Sequence, residues 1–128
     1  MQSPDVNDIS VLLIEDELEN RELMGLLLKR NGFNVRVAET SQQALGIIEE
    51  CKDIDVVLID HNLGSGSVEN GIELTKKILD VIDVVIIGFT GNSSLEVKKQ
   101  WLNHGAKEII QKPAAIDTIL NSIGKFTG

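Results

Sequence analysis

Short aliphatic runs alternate along the chain with longer segments of mixed polarity. The runs are too short for separate helices, and they lack the strict alternation of a strand that is exposed on one face. They therefore predict strands that are buried on both faces, as in a parallel sheet. The predicted strands are Ile9 to Ile14, Phe33 to Val37, Ile54 to Ile59, Ile82 to Ile87 and Ala106 to Ile110.

The segments between these runs carry Leu and Ile at helical spacing among charged residues, which predicts helices. The predicted helices cover about 17–31, a segment starting at Thr40 or Ser41, Gly71 to Leu79, a segment from Ser93 or Ser94 to about His104, and about 115–125. The polar, Gly- and Ser-rich segment 60–70 predicts a loop.

Strand and helix follow each other five times, which predicts an α/β fold. Right-handed crossovers between parallel strands would place helices on both faces of one doubly wound, five-stranded sheet. We expect a single domain over residues 1–128, with its core at about 8–126 and no effector domain. In such a fold the functional site lies at the carboxyl ends of the strands.

The composition narrows the function classes. Twelve basic and 20 acidic residues give a net charge of −8, which argues against direct binding of nucleic acid or of an anionic membrane surface. One cysteine excludes an intrachain disulfide and a Cys-rich zinc site. No apolar run approaches the length of a membrane span, and the N-terminus lacks the apolar core of a signal peptide. We therefore expect a cytoplasmic protein.

Polar residues follow four of the five predicted strands. They are Glu15 to Glu17 after the first, Asp60 after the third, Thr90 and Gly91 after the fourth, and Lys112 after the fifth. Neighbouring carboxylates repel each other, and a hard cation such as Mg²⁺ or Mn²⁺ relieves that repulsion. A carboxylate can also attack phosphorus, while a metal, an ammonium group and a hydroxyl neutralise the phosphoryl oxygens.

These motifs resemble the response-regulator receiver domain of two-component and phosphorelay signalling. They are LLIEDE at Leu12 to Glu17, VVLIDHNL at Val56 to Leu63, IIGFTG at Ile86 to Gly91 and IIQKP at Ile109 to Pro113. Each motif alone is weak, but four in the right order, each close to a predicted strand end, are specific. The resemblance implies a flavodoxin-like receiver fold with strand order 2-1-3-4-5.

The resemblance also implies a metal site. Asp60 resembles the phosphoacceptor, and Glu15 and Asp16 resemble the acidic pair that holds Mg²⁺. Asp16 would be the direct ligand, and Glu15 would act through water. Asn62 would supply a backbone carbonyl to the metal.

Further residues would contact the phosphoryl group. Thr90 resembles the switch hydroxyl, Gly91 would donate its backbone N–H and leave access to Asp60, and Lys112 resembles the lysine that pairs with Asp60. Pro113 resembles the proline that follows this lysine, through a cis peptide bond.

The sequence departs from the family pattern at several positions. Ile109 stands at the switch position, where the family usually has an aromatic residue, and Gly64 stands where it often has proline. The segment from Asp60 to Gly71 is longer than usual, and Trp101 occupies a position that is often small. These differences leave the route of the conformational switch open.

The function that we expect is Mg²⁺-dependent transfer of a phosphoryl group from phosphohistidine to Asp60, followed by slow self-dephosphorylation. Such a protein catalyses its own modification without being a conventional enzyme. Its partners would be a sensor histidine kinase or histidine phosphotransfer protein and a downstream effector. The main alternative is a degenerate receiver that acts as a phosphorylation-independent interaction module. A haloacid-dehalogenase-type hydrolase would need an acid at Asn62, and the scarcity of aromatics disfavours a flavin-binding protein.

Overall fold

A computed structural model describes residues 9–60, 70–91 and 94–127. Strands and helices alternate through this part of the chain. They are β1 (Ser10–Ile14), α1 (Leu18–Arg30), β2 (Asn34–Ala38), α2 (Ser41–Glu50), β3 (Val56–Asp60), α3 (Gly71–Leu79), β4 (Val85–Thr90), α4 (Leu95–Asn103), β5 (Glu108–Gln111) and α5 (Ile116–Thr127).

The strands form one parallel sheet in the order β2-β1-β3-β4-β5. The chain crosses back over β1 after β2, so the strand order reverses between β1 and β3. This point lies at the centre of the sheet, and its carboxyl end is where a doubly wound fold places its ligand site. The predicted fold class and strand order are confirmed.

Helices cover both faces of the sheet, as the sequence predicts. One core cluster joins the sheet to α2, α3 and α4, and includes Ile48, Leu74 and Trp101. The other joins the sheet to α1 and α5, and includes Leu28 and Ile119. Both cores are almost wholly aliphatic, because the chain has only three Phe, one Trp and no Tyr.

Side-chain caps settle where two helices begin. The Thr40 side chain accepts a hydrogen bond from the Gln43 N–H at 3.2 Å, so Thr40 is the cap of α2. The Ser94 side chain accepts from the Val97 N–H at 3.2 Å and caps α4. These bonds satisfy N–H groups that the first helical turn leaves without a partner in the helix.

The predicted boundaries of the fourth strand are wrong. Pairing with β3 begins at Val85, so the strand starts three residues later than predicted and continues through Gly88 to Thr90. The preceding residues are held by the end of α3, since Val81 and Ile82 donate their N–H groups to the Ile78 carbonyl. Thr90 is therefore the last residue of its strand rather than a residue beyond it.

Smaller corrections apply to the other strands. Asp60 is the final residue of β3, and β5 starts at Glu108 rather than Ala106. Phe33 precedes β2 and is buried in the core. Among the described residues, no helix is long and apolar enough to cross a membrane.

Candidate functional site

The acidic side chains meet at the carboxyl end of the central strands. Glu15 directly follows β1 and Asp60 ends β3, and these two strands are paired. Glu15, Asp16 and Asp60 each offer a carboxylate oxygen, and these atoms lie within 4.8 Å of one another. Glu15 and Asp60 are buried, with 8% and 6% of their surfaces exposed. The structure therefore brings together all three predicted acidic residues.

The Glu15 carboxyl group is held in place by its surroundings. Its backbone N–H donates to the Ala38 carbonyl at 3.0 Å, and its Oε1 accepts from the Glu17 N–H at 3.2 Å. Burial, followed by the nearby Asp60 charge, raises the pKa of Glu15 from 4.5 to about 7. The Glu15 carboxyl group therefore resists full ionisation near neutral pH.

Lys112 supplies a positive charge to this acidic group. Its Nζ donates to Asp60 Oδ1 at 2.6 Å and lies 3.9 Å from Glu15 Oε2. Its backbone N–H donates to the Thr90 carbonyl at 2.8 Å, which ties the start of the β5–α5 connection to the end of β4. About a third of the Lys112 side chain is exposed, whereas Asp60 is buried beneath it.

Thr90 and Gly91 lie at the neighbouring strand end. Thr90 is buried, while Gly91 is exposed just after β4. A Cβ atom at Gly91 would meet no heavy atom within 4 Å. The described residues therefore leave room for a side chain at this position.

Two further predictions concern residues near the site. The Lys112–Pro113 peptide bond is cis, as predicted. Asn62, the predicted backbone ligand, lies outside the described residues, as does most of the predicted 60–70 loop.

The donor set of this site fits a hard divalent cation. The described residues offer carboxylate oxygens at one point of the sheet edge, and Mg²⁺ and Mn²⁺ prefer oxygen ligands. Lys112 neutralises only part of the charge of the three acids. A divalent cation would stabilise the Glu15 carboxylate against the two effects that raise its pKa, which are burial and, to a smaller extent, the Asp60 charge.

A comparison with protein families decides what kind of domain carries this site. The model of the response regulator receiver domain matches residues 11–124. The chain belongs to this family. The match includes all or most of every strand and helix described above and contains the four predicted motifs.

Individual relatives of this receiver domain support the assignment. An NtrX-like response regulator of Rickettsia typhi is 33% identical over 117 residues, which are 90% of this chain and 24% of that protein. A response regulator of Burkholderia pseudomallei, solved with a phosphorylated aspartic acid, a calcium ion and citrate, is 27% identical with a TM-score of 0.82. That match covers 91% of this chain and 66% of the other.

A third relative shares the fold. The co-crystal structure of the Saccharomyces cerevisiae histidine phosphotransfer protein Ypd1 with the receiver domain of Ssk1 matches with a TM-score of 0.83 and 24% identity. It covers 93% of this chain and 88% of the matched chain. The chain spans about a quarter of the length of the first curated relatives that it matches.

The receiver domain has a cavity that sequence reasoning missed. Its volume is about 560 Å³, and both Asp60 and Lys112 line it. Its walls are otherwise largely apolar and come from α1, from β4 and from the start of α5, with Leu23, Met24 and Ile116 among them. Because these residues are distant in sequence, only the packing of α1 beside α5 reveals this cavity.

Arg21 also contacts the site, and this contact could not be predicted from the sequence. Its guanidinium donates to the Glu15 carbonyl at 3.0 Å and lies 3.9 Å from Glu39 Oε2. The hydrogen bond from Arg21 thereby stabilises the turn that carries Glu15 and Asp16. An arginine one turn into a helix is common on helix surfaces, so the sequence holds no signal for this contact.

Proposed function

We propose that this receiver domain accepts a phosphoryl group on Asp60 from a phosphohistidine donor. The observation that carries the proposal is the pairing of a buried Asp60 with Lys112 at 2.6 Å, beside the acidic pair Glu15 and Asp16. A buried aspartate with one cation and two more carboxylates nearby is poorly explained as a structural ion pair. Burying so much negative charge costs free energy unless a ligand offsets it.

The transfer step exchanges one bond to phosphorus for another. A carboxylate oxygen of Asp60 attacks phosphorus, and the P–N bond to the donor imidazole breaks. The bonding electron pair leaves with the imidazole nitrogen, and Asp60 becomes an acyl phosphate. Hydrolysis later transfers the phosphoryl group to water and restores the carboxylate.

Glu15, Asp16 and Asp60 would hold the Mg²⁺ or Mn²⁺ ion that this chemistry requires, and Asn62 would add its backbone carbonyl. When bound, the ion neutralises charge on the phosphoryl oxygens. Glu15 must lose its proton to take part fully, since burial raises its pKa to about 7. Arg21 keeps the Glu15 backbone in position through its hydrogen bond to the carbonyl.

Three other residues would stabilise the phosphorylated state. Lys112 pairs with Asp60 before transfer and would bind a phosphoryl oxygen afterwards. The Thr90 hydroxyl and the Gly91 N–H would donate to other phosphoryl oxygens. Contacts made only in the phosphorylated form shift the population toward a second conformer, which provides the signalling output.

The partner would approach over α1. Leu23 lines the cavity beside Asp60 and is 58% exposed, and Leu18 and Leu26 of the same helix are about half exposed. A protein that brings a phosphohistidine to Asp60 must cover the mouth of this cavity, and burial of these leucines would stabilise the complex. The similarity to the Ssk1 receiver that was solved with Ypd1 supports a histidine phosphotransfer protein or a sensor kinase as donor. An effector domain or protein would read the output.

The test is intact-mass analysis after incubation with acetyl phosphate and Mg²⁺. We expect one added phosphoryl group that is stable in acid and labile in alkali. Asp60→Asn and a metal-free sample should both lack it. Asp83→Asn is the matched control, because Asp83 is exposed and precedes β4 at the opposite end of the sheet, and it should be phosphorylated normally.

Failure of this experiment would favour the alternative function. The absence of an adduct with both acetyl phosphate and phosphoramidate would favour a degenerate receiver that acts as a phosphorylation-independent interaction module. An adduct that persists in Asp60→Asn would instead place the phosphoacceptor elsewhere.

A further inference from the structure

Trp101 lies at the junction of three elements that surround the phosphorylation site. It belongs to α4 and is completely buried. Its indole packs against β4 at Gly88 and against the first residue of α3, Gly71. Both contacts are made possible by the absence of a side chain on the partner residue.

The contact with Gly88 is the more extensive one. A Cβ atom at Gly88 would lie 2.6 Å from Cε3 and Cζ3 of Trp101, and 2.8 Å from its Cδ2. The ring therefore fills the space that a side chain would take, and its six-membered part rests on the strand. Gly88 lies two residues before Thr90, so both belong to the same face of β4.

The contact with Gly71 leads to the phosphoacceptor. A Cβ atom at Gly71 would lie 2.8 Å from Cη2 of Trp101 and only 2.5 Å from the backbone carbonyl oxygen of Asp60. The start of α3 is thus packed between the Trp101 ring and the Asp60 backbone. Helix α4, the start of α3 and Asp60 form a continuous chain of contacts.

We propose that Trp101 is a positioning residue that couples Asp60 and Thr90 to helix α4. The inference rests on the proposed function, because the signal to be transmitted is the phosphorylation of Asp60. A rigid aromatic ring in a close-packed core passes on displacements that a flexible side chain would absorb. A shift of β4 or of the α3 start on phosphorylation must move the ring, and with it α4.

The surroundings of Ile109 support this route. Ile109 is paired with Gly88 across the sheet and packs against the core cluster that contains Trp101. It is an aliphatic residue and offers no aromatic ring of its own. Within the described residues, Trp101 is the aromatic side chain of this cluster, and it approaches the same point of β4 from the neighbouring helix.

The first test uses Trp101 as its own reporter, because it is the one tryptophan of the chain. We expect its emission to shift with the same time course as the phosphoryl adduct, and to stay constant in Asp60→Asn. No adduct on the wild-type protein would overturn the proposed function and this inference together. An adduct that leaves the emission unchanged would overturn the inference alone.

The second test separates coupling from a merely structural role. Trp101→Phe shortens the ring that reaches Gly71, and Gly88→Ala pushes the ring away from β4. Each variant should change how far phosphorylation shifts the population between the two conformers, so we expect the half-life of the phosphoryl group to change about fivefold. Ile48→Val is the matched control, since Ile48 is fully buried in α2, and it should lower the melting temperature without changing the half-life.

The comparison of each half-life with that of Ile48→Val decides between coupling and a merely structural role. If Trp101→Phe and Gly88→Ala alter the half-life no more than Ile48→Val does, Trp101 only fills the core. If Gly88→Ala is the one variant of the two that folds, the half-life of its phosphoryl group decides the question by itself, because this variant deletes no side chain.

Discussion

Replacing Glu15 by glutamine tests whether burial and the neighbouring Asp60 charge destabilise the Glu15 carboxylate in the folded protein. Glutamine has the shape of a protonated glutamate and keeps an oxygen that can accept the hydrogen bond from Glu17. The pKa of Glu15 rises from 4.5 to about 7 on folding. Folding at a pH between these two values is therefore accompanied by the uptake of a proton. The stability that this group contributes is fully present below pH 4.5 and is lost as the pH rises through 7.

The size of this effect follows from the pKa values. The pKa of Glu15 differs between 4.5 in the unfolded chain and about 7 in the folded protein. At 1.36 kcal/mol for each unit of pKa, this difference corresponds to ~3 kcal/mol of unfolding free energy. We therefore expect Glu15→Gln and wild type to have similar unfolding free energies at pH 4.5. At pH 8 the metal-free variant should be more stable than wild type by up to ~3 kcal/mol.

The assay is urea unfolding in the presence of a chelator at pH 4.5, 6, 7 and 8. Glu49→Gln serves as the control, because Glu49 is an exposed carboxyl on α2 and its removal should give a pH-independent difference. A Glu15→Gln advantage that stays flat from pH 4.5 to 8 would show that folding does not raise the pKa of Glu15.

Three other predictions concern Gly71, Gly91 and Lys112, and Gly46→Ala serves as the control for the first. Gly71→Ala should destabilise the fold by about 1–3 kcal/mol, because its Cβ would lie 2.5 Å from the Asp60 carbonyl oxygen. Gly46→Ala has open space around its Cβ and should stabilise the fold by about 0.5–1 kcal/mol. Equal urea midpoints for the two variants would contradict this prediction. Gly91→Ala should fold normally, since its Cβ meets nothing within 4 Å. Mass analysis should show slower phosphorylation, because the added methyl group narrows the access to Asp60. An unchanged rate would show that access to Asp60 does not depend on a missing side chain at position 91. Lys112→Met should bind Mg²⁺ several-fold more tightly in calorimetry, because the positive charge that repels the ion is gone. It should also accept phosphoryl groups more slowly. Weaker Mg²⁺ binding would contradict the proposal that the ion binds beside Lys112.

Much of the fold could be predicted from the sequence, because local pattern and global topology agree. Buried strands of a parallel sheet have continuous apolar runs, and the helices between them have apolar residues at helical spacing. The convergence of Glu15, Asp60 and Lys112 follows from the same logic, since the carboxyl ends of parallel strands meet at one edge. The roles of these residues remain predictions that the proposed experiments test.

Other features depend on contacts that the pattern of apolar and polar residues does not reveal, and they could not be predicted. The start of β4 depends on how Val81 and Ile82 bond back to the end of α3, although their sequence is as apolar as a strand. The predicted fourth strand ends at Ile87, but β4 continues through Gly88 because this segment stays paired with β3 and β5, and Trp101 packs where Gly88 has no side chain. The apolar cavity beside Asp60 likewise requires α1 to lie next to α5.

The central claim is that Asp60 carries the phosphoryl group. Reduction of the phosphorylated protein with borohydride converts an aspartyl phosphate into homoserine, and peptide mass analysis then locates the converted residue. We expect homoserine at position 60, formed only when Mg²⁺ and the phosphodonor are both present. Homoserine at another aspartate, with Asp60 intact, would contradict the account.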